Sequence, residues 1–312
     1  MDIGGFKIGQ ATDSVGCTGC TVMIFDKAAP AGVDVRGGGP ASRETPLLNP
    51  VADCQALNAI LLSGGSAFGL DAAGGVMQYL EERGIGFDVG VTKVPLVCQS
   101  SLFDLTIGDF KARPDAKMAY TACENASYEP VKEGNYGAGT GCTVGKYHGP
   151  AGAMKSGIGT YAAEVDGIKV GAIVAVNALG DIYDIDTNEE IAGARGEDGK
   201  LINDENQFFT DMLKMKEIFK GNTTLGIIVT NAKMDKTALN KVASMAHNGY
   251  GRAIRPVHTM ADGDSIYAAS VGEMDADINF VGPLAAIVMG RAIGRAVRAA
   301  ESVGEVIAAR DL

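Results

Sequence analysis

The chain has 312 residues, 46% of them hydrophobic, so it can bury a substantial core as one large domain or as two ordinary ones. A formal net charge of −11 and a pI of about 4.8 argue against a phosphate-backbone partner, and no Lys/Arg stripe overrides that sign. The 43 glycines follow no Gly-X-Y period, which excludes a fibre and assigns them to tight turns and close backbone approaches.

The N-terminal MDIGGFKIGQATD has neither a basic nor an apolar region and does not read as a signal peptide. No apolar run approaches the ~18 residues of a membrane span. The expectation is a cytoplasmic protein without membrane or nucleic-acid partners, whose six cysteines (Cys17, Cys20, Cys54, Cys98, Cys123, Cys142) stay free thiols. Cys17-Thr-Gly-Cys20 has the spacing of half a zinc site, but no second CxxC or paired histidine completes it, so no metal or cofactor is expected.

CTVMIFD (20–26) and GVDVR (32–36) have strand lengths and patterns around a turn at AAPA, which predicts a hairpin. CQALNAILLSGG and SAFGLDAAGGVMQYLEERG read as helices. In the second, Phe68, Ala72, Val76 and Leu80 share a face, Ser66 can cap and Gly84 can terminate. From residue 137, YGAGTGCTVGK, GIGTYAAEV and IKVGAIVAVNALGDIYD predict consecutive strands. Residues 184–206 have the composition of a long exposed loop, followed by a charged helix that ends at Gly221-Asn222. TLGIIVT is a strand, and MDKTALNKVASMAHNGYG an amphipathic helix with Leu239, Val242, Ala243 and Ala246 inward. AIRPVHTM and SIYAASVG are strands, and residues 280–310 a long helix rich in small residues. Strand groups alternating with paired helices, without a β-α-β-α rhythm, favour a layered α+β fold.

The glycine cluster GNYGAGTGCTVGK (134–146) fails both nucleotide patterns. A phosphate loop needs glycine where Thr140 stands and Ser or Thr where Tyr147 stands, and a dinucleotide fingerprint needs glycine at Cys142. What remains is a strand packed closely against something, ending at Lys146. His148, His247 and His258 sit in unrelated contexts, and no G-x-S-x-G elbow is present, so a hydrolytic base here is not a histidine.

Thr223 in KGNTTLGIIVTNA has two readings: a β-branched residue opening a strand after a helix stop, or a nucleophile. A threonine needs no histidine if it becomes a chain terminus, because the freed α-amine, with a pKa near ~7.7–8.0, then lies beside its own Oγ. Its hydroxyl can attack the preceding carbonyl through a five-membered ring, and the resulting ester is open to water. Asp262-Gly263-Asp264 is either a surface hairpin turn or an acid pair that holds a nascent ammonium. Asn177, where the strand pattern wants valine, is either a buried network residue or an oxyanion donor.

TGCTVMIFDKAAPAGVDVRGGGPASRET, LLSGGSAFGLDAAGGVMQYLEERGIGF, GNYGAGTGCTVGK with SGIGT, and NTTLGIIVTNA with RAIRPVHTMADGDSIYAASVG together resemble the self-processing L-aminopeptidase/D-esterases of the DmpA type, over nearly the whole chain. That family includes the β-aminopeptidases and the nylon-oligomer hydrolases. The resemblance implies a four-layer αββα sandwich similar to the N-terminal-nucleophile hydrolases. It also implies a 1–312 domain that cuts itself into a 1–222 large subunit and a 223–312 small one, held as a homotetramer of processed pairs. It implies cleavage at Asn222-Thr223, with Thr230-Asn231-Ala232 selecting Thr223 over Thr224. Lys146 matches the active-site lysine of the family, Asn177 the oxyanion asparagine, and Asp262 with Asp264 the acidic pair that orients the nucleophile. Asn-Thr at the junction and the paired aspartates favour the nylon-hydrolase branch, acting on a small peptide or a linear 6-aminohexanoate oligomer. The alternatives are a β-peptidyl aminopeptidase of the same family and an acyltransferase of the ornithine acetyltransferase kind, whose A-T-M-L junction this chain lacks. At Phe103 the sequence departs from those amide-hydrolysing members that carry Tyr.

Overall fold

The computed structural model of the chain describes residues 3–202, 204–214 and 221–312. Its principal strands are β1 (Phe6–Asp13), β2 (Thr18–Ala29), β3 (Ala31–Val35), β4 (Ala41–Arg43), β5 (Leu57–Ser63), β6 (Val97–Ser101), β7 (Ile158–Val165), β8 (Ile168–Ala175), β9 (Leu225–Ala232) and β10 (Ser265–Met274). The helices are α1 (Ala73–Glu81), α2 (Ala116–Glu124), α3 (Glu205–Lys214), α4 (Lys236–Ala253) and α5 (Ile278–Ala299). One five-stranded sheet runs β1-β2-β5-β6-β4, and a second runs β7-β8-β9-β10-β3.

The period of two along each strand separates three apolar layers. In β9, Leu225, Ile227 and Val229 face the other sheet, where together with Tyr267 of the neighbouring β10 they pack against Ile60 and Leu62 of β5. Ile228, on the opposite side, packs under Val242 and Ala246 of α4 and Val288 and Ile293 of α5. Leu61 of β5 turns away from the second sheet towards Val76 and Leu80 of α1 and Ala119 of α2. The result is the expected α+β sandwich, helices outside and two sheets inside.

Several local expectations are corrected. β2 and β3 do not form a hairpin: β2 pairs with β1 and β5, whereas β3 pairs with β10, so the chain crosses between the sheets at Pro30. Proline has no N–H to donate to a ladder, and its carbonyl instead accepts the Ser270 N–H at 3.0 Å. CQALNAILLSGG supplies β5, every residue of which is buried, rather than a helix; a short run apolar on both faces fits either element. Ser66–Ala72 is a 3-10 segment in which Ser66 makes no cap, and Phe68 is exposed because three residues per turn carry it off the α1 face. Gly84, at φ 66, does close the end of that helix.

The cluster at 134–146 is mostly turn, with a 3-10 segment at Gly137–Gly139 and a strand only at Thr143–Val144. Residues 184–206 are not all surface, since Glu190–Ala192 pairs with Asp181–Tyr183 and Ala192 and Ala194 are buried. AIRPVHTM contributes only the short strand Ile254–Arg255, and α5 ends at Ala299, short of residue 310. By length and composition α5 could cross a membrane, contrary to the expectation from the sequence, but 67% of the apolar window is buried, as in a core helix. Of the charged helix predicted before the junction, α3 covers the first part, and 215–220 lie outside the described residues.

Candidate active site

Strand register assembles the site. β9 and β10 run parallel with Leu225 opposite Ser265, so continuing the pairing backwards sets Thr224 beside Asp264 and Thr223 beside Gly263. β8 runs antiparallel to β9 with Ala175 opposite Leu225, and the same continuation sets Asn177 across from Thr223. Asn177 therefore lies two residues past β8, not mid-strand as its sequence context suggests. Lys146 is brought to the same end by its N–H, which donates to Leu179 O at 2.8 Å. The left-handed φ of 67 at Gly145 makes that turn, and a Cβ there would come 2.1 Å from the Gly193 carbonyl carbon.

At the junction, Thr223 has φ 119, a backbone region that a β-branched residue rarely adopts. Its Oγ1 accepts the Gly263 N–H at 3.0 Å. The carbonyl of Asn222 accepts the Phe103 N–H at 3.3 Å, and Thr224 N–H donates to Asp264 Oδ1 at 2.8 Å. Asn222 and Thr223 are both buried. Asn177 Oδ1 accepts from Lys146 Nζ at 2.7 Å and from Thr143 N–H at 3.1 Å, which turns its Nδ2 to the Phe103 carbonyl at 2.7 Å. The Phe103 main chain thus connects the amide of Asn177, through its carbonyl, to the Asn222 carbonyl, through its N–H.

Burial dominates the electrostatics. Lys146, removed from water, has its pKa pulled down to about 7, with Asp262, Asp104 and Asp264 opposing part of that shift. Burial and the neighbouring Asp264 push the Asp262 carboxyl up to about 6, against the bonds that its Oδ2 accepts from Thr259 N–H and Oγ1. The chain's own amine, acid and hydroxyl groups meet here in a site where proton affinities lie near neutrality. Among the described residues no His/Cys/Asp/Glu group has the arrangement to hold a metal ion.

All five residues singled out for chemistry (Thr223, Lys146, Asn177, Asp262 and Asp264) come to this end of the sandwich, with Asn222. Cys17 and Cys20 are both buried as free thiols in the first sheet's entry turn and β2. Three contributions were missed from the sequence. The Phe103 main chain makes the contacts there, not a phenolic hydroxyl; Gly263 acts by its N–H; and the Arg36–Gly39 loop lies on the acidic turn, Gly39 N–H donating to Asp262 O at 2.8 Å and Arg36 N–H to Asp264 O at 3.0 Å. The RGGGP run was the available signal for this last contact. A cavity of about 440 Å³ opens beyond Tyr147, walled by Asp181, Tyr183, Phe208, Arg255 and Pro256. A larger one, about 820 Å³, lies between β1 and α2 and is lined by none of the site residues.

The model of peptidase family S58 matches residues 1–308. The chain belongs to this family. Its relatives include an uncharacterized aminopeptidase of Mycobacterium leprae, 36% identical over 92% of this chain and 84% of that protein. A 6-aminohexanoate-oligomer endohydrolase of Kocuria sp. is 29% identical over 88% of this chain and 75% of that protein. Among solved structures, the L-aminopeptidase D-Ala-esterase/amidase of Ochrobactrum anthropi, described as a variant of the Ntn hydrolase fold, superposes with a TM-score of 0.73 at 18% identity, covering 99% of this chain and 89% of its own. A Burkholderia sp. β-aminopeptidase gives 0.70 at 18% identity, covering 97% and 87%. This S58 chain is therefore an amide-bond hydrolase of the DmpA type.

Proposed function

We propose that the chain is the precursor of an N-terminal-threonine amidohydrolase that cuts itself at Asn222-Thr223. The observation that carries the reading is the junction itself: a threonine at φ 119, with its hydroxyl held by one N–H and the preceding carbonyl by another. Backbone held in such a region stores about 1–3 kcal/mol, which cleavage of the adjoining peptide would release. Thr223 Oγ attacks the Asn222 carbonyl carbon, the C–N bond breaks, and the Thr223 nitrogen leaves as an amine that takes up the hydroxyl proton. Water then hydrolyses the ester, giving the Asn222 carboxylate and a free Thr223 hydroxyl.

In turnover the freed α-amine takes the Oγ proton as Thr223 attacks a substrate amide, then delivers it to the leaving amine. Asn177, with Phe103 N–H, stabilises the oxyanion, and Lys146 fixes the Asn177 amide. Asp264 holds the strand at Thr224, and Asp262 lies beside the new ammonium. Water completes the cycle on the acyl-enzyme, and no cofactor takes part. The two chains stay together, as a homotetramer of processed pairs.

The substrate is a small peptide or a linear ω-amino-acid oligomer. The relatives named aminopeptidase are the more similar, at 36–37% identity, and favour a peptide; the Asn-Thr junction and the Asp262–Asp264 pair favour the oligomer. A panel of aminoacyl amides, β-peptides and aminohexanoate oligomers tests this. The wild type should hydrolyse at least one class, and Thr223→Ala should lose about 10³-fold or more. Wild-type rates in Thr223→Ala would contradict the assignment.

A further inference from the structure

The imidazole of His258 has no place in the roles assigned above, yet it touches them. Its Nδ1 lies 2.9 Å from Asp264 Oδ2, and the main-chain N–H of His258 donates to the same oxygen at 3.1 Å. Asp264 Oδ1, the other oxygen, accepts the Thr224 N–H at 2.8 Å. One buried carboxylate therefore ties a histidine ring to the backbone of the residue that follows Thr223. Because a carboxylate accepts, Nδ1 carries the hydrogen in this contact.

The ring is set firmly. His258 stands at φ 60, in the left-handed region, and its imidazole lies edge-on to His247 at 4.7 Å and stacks near Tyr250 at 5.9 Å, both from α4. His247 Nε2 donates to the Asp34 carbonyl at 3.0 Å, and Arg36 is the nearby cation. His258 Nε2 and His247 Nδ1 are buried without a protein partner among the described residues, so no bond from the α4 side holds the His258 ring. Its directional contact is with Asp264.

We propose that His258 is a positioning residue for the nucleophile: it locks Asp264 in the orientation whose free oxygen grips the Thr224 N–H. The inference rests on Thr223 as nucleophile. Before cleavage, the junction is tethered on both sides, by Asn222 and by Thr224. Afterwards Thr223 is a chain end: the Gly263 N–H holds its hydroxyl, and the strand behind it is held by the Thr224 N–H on Asp264 and the Ser265 N–H on the Thr224 carbonyl, at 3.2 Å. A nucleophile displaced by an ångström can lose about 100-fold in rate. His258 therefore bears on turnover more than on self-cleavage.

The test compares His258→Ala, His258→Asn, Thr223→Ala and wild type in two assays: the fraction self-cleaved with time, and steady-state hydrolysis of whichever panel substrate the wild type turns over. Asparagine retains an N–H near the Nδ1 position. His258→Ala should self-cleave within about threefold of wild type but lose about 10- to 100-fold in kcat with KM nearly unchanged, and His258→Asn should regain most of the loss. Wild-type kcat in His258→Ala overturns the proposal. So do equal losses in both variants that track a lowered thermal midpoint, which would mark a packing role. Normal self-cleavage of Thr223→Ala would instead overturn the nucleophile reading beneath it.

Discussion

Thr223 differs from an ordinary strand-opening threonine in two respects, its φ of 119 and the N–H of Gly263 at its hydroxyl. A Cβ added at Gly263 would come 2.6 Å from Thr223 Oγ1 and 3.0 Å from Gly39 O, so the contact requires glycine. Gly263→Ala should therefore slow self-cleavage at least tenfold while leaving the far-UV spectrum intact, as a time course on a denaturing gel would record. Asp262 gives a pH signature. Its folded-state pKa, raised to about 6 from an ordinary 3.8, means that the folded chain keeps a proton which the unfolded chain has released. Its charge therefore destabilises the fold increasingly as pH rises from about 4 to 6 and fully above that. Asp262→Asn should raise the thermal midpoint at pH 8, by at most about 3 kcal/mol of stability, and have little effect below pH 4, while self-cleavage slows. The site's side chains were legible in the sequence because their types carry chemistry. The N–H groups of Gly263 and Phe103 were not, since every residue but proline has one and only the fold selects among them.

At the scale of elements, the ends of β8, β9 and β10 deliver Asn177, Thr223 and Asp264 to one place, so the central strand's packing governs the site. Ile227 of β9 is buried between the two sheets, and Ile227→Ala should cost about 2–5 kcal/mol, read as a shift in the denaturant midpoint. The amphipathic α4, with Leu239, Val242, Ala243 and Ala246 buried, and the long α5 were legible because one helical face repeats over many residues. β5 was not, because a strand buried on both faces has no alternation to read. The step at Pro30 was not legible either: two adjacent strands look the same in sequence whether they pair with each other or with different sheets.

For the whole molecule, the layered α+β architecture follows from the strand groups and paired helices, whereas the sandwich's identity came from long blocks resembling a known family. Lys146 adds a global term opposite to that of Asp262. Its pKa of about 7, against an ordinary 10.5, means that the folded chain binds fewer protons than the unfolded chain across that interval. Its contribution therefore strengthens the fold as pH rises from 7 towards 10, and an equilibrium unfolding series should show Lys146→Met flattening that rise. Whether the protein cuts its own chain before Thr223 is read from intact mass and N-terminal sequencing of the purified protein. Self-cleavage there gives two co-purifying chains, residues 1–222 and 223–312, the smaller beginning Thr-Thr-Leu-Gly, and leaves a single uncut chain for Thr223→Ala. A wild-type protein that stays whole at 32.2 kDa, or a fragment beginning elsewhere, would contradict it.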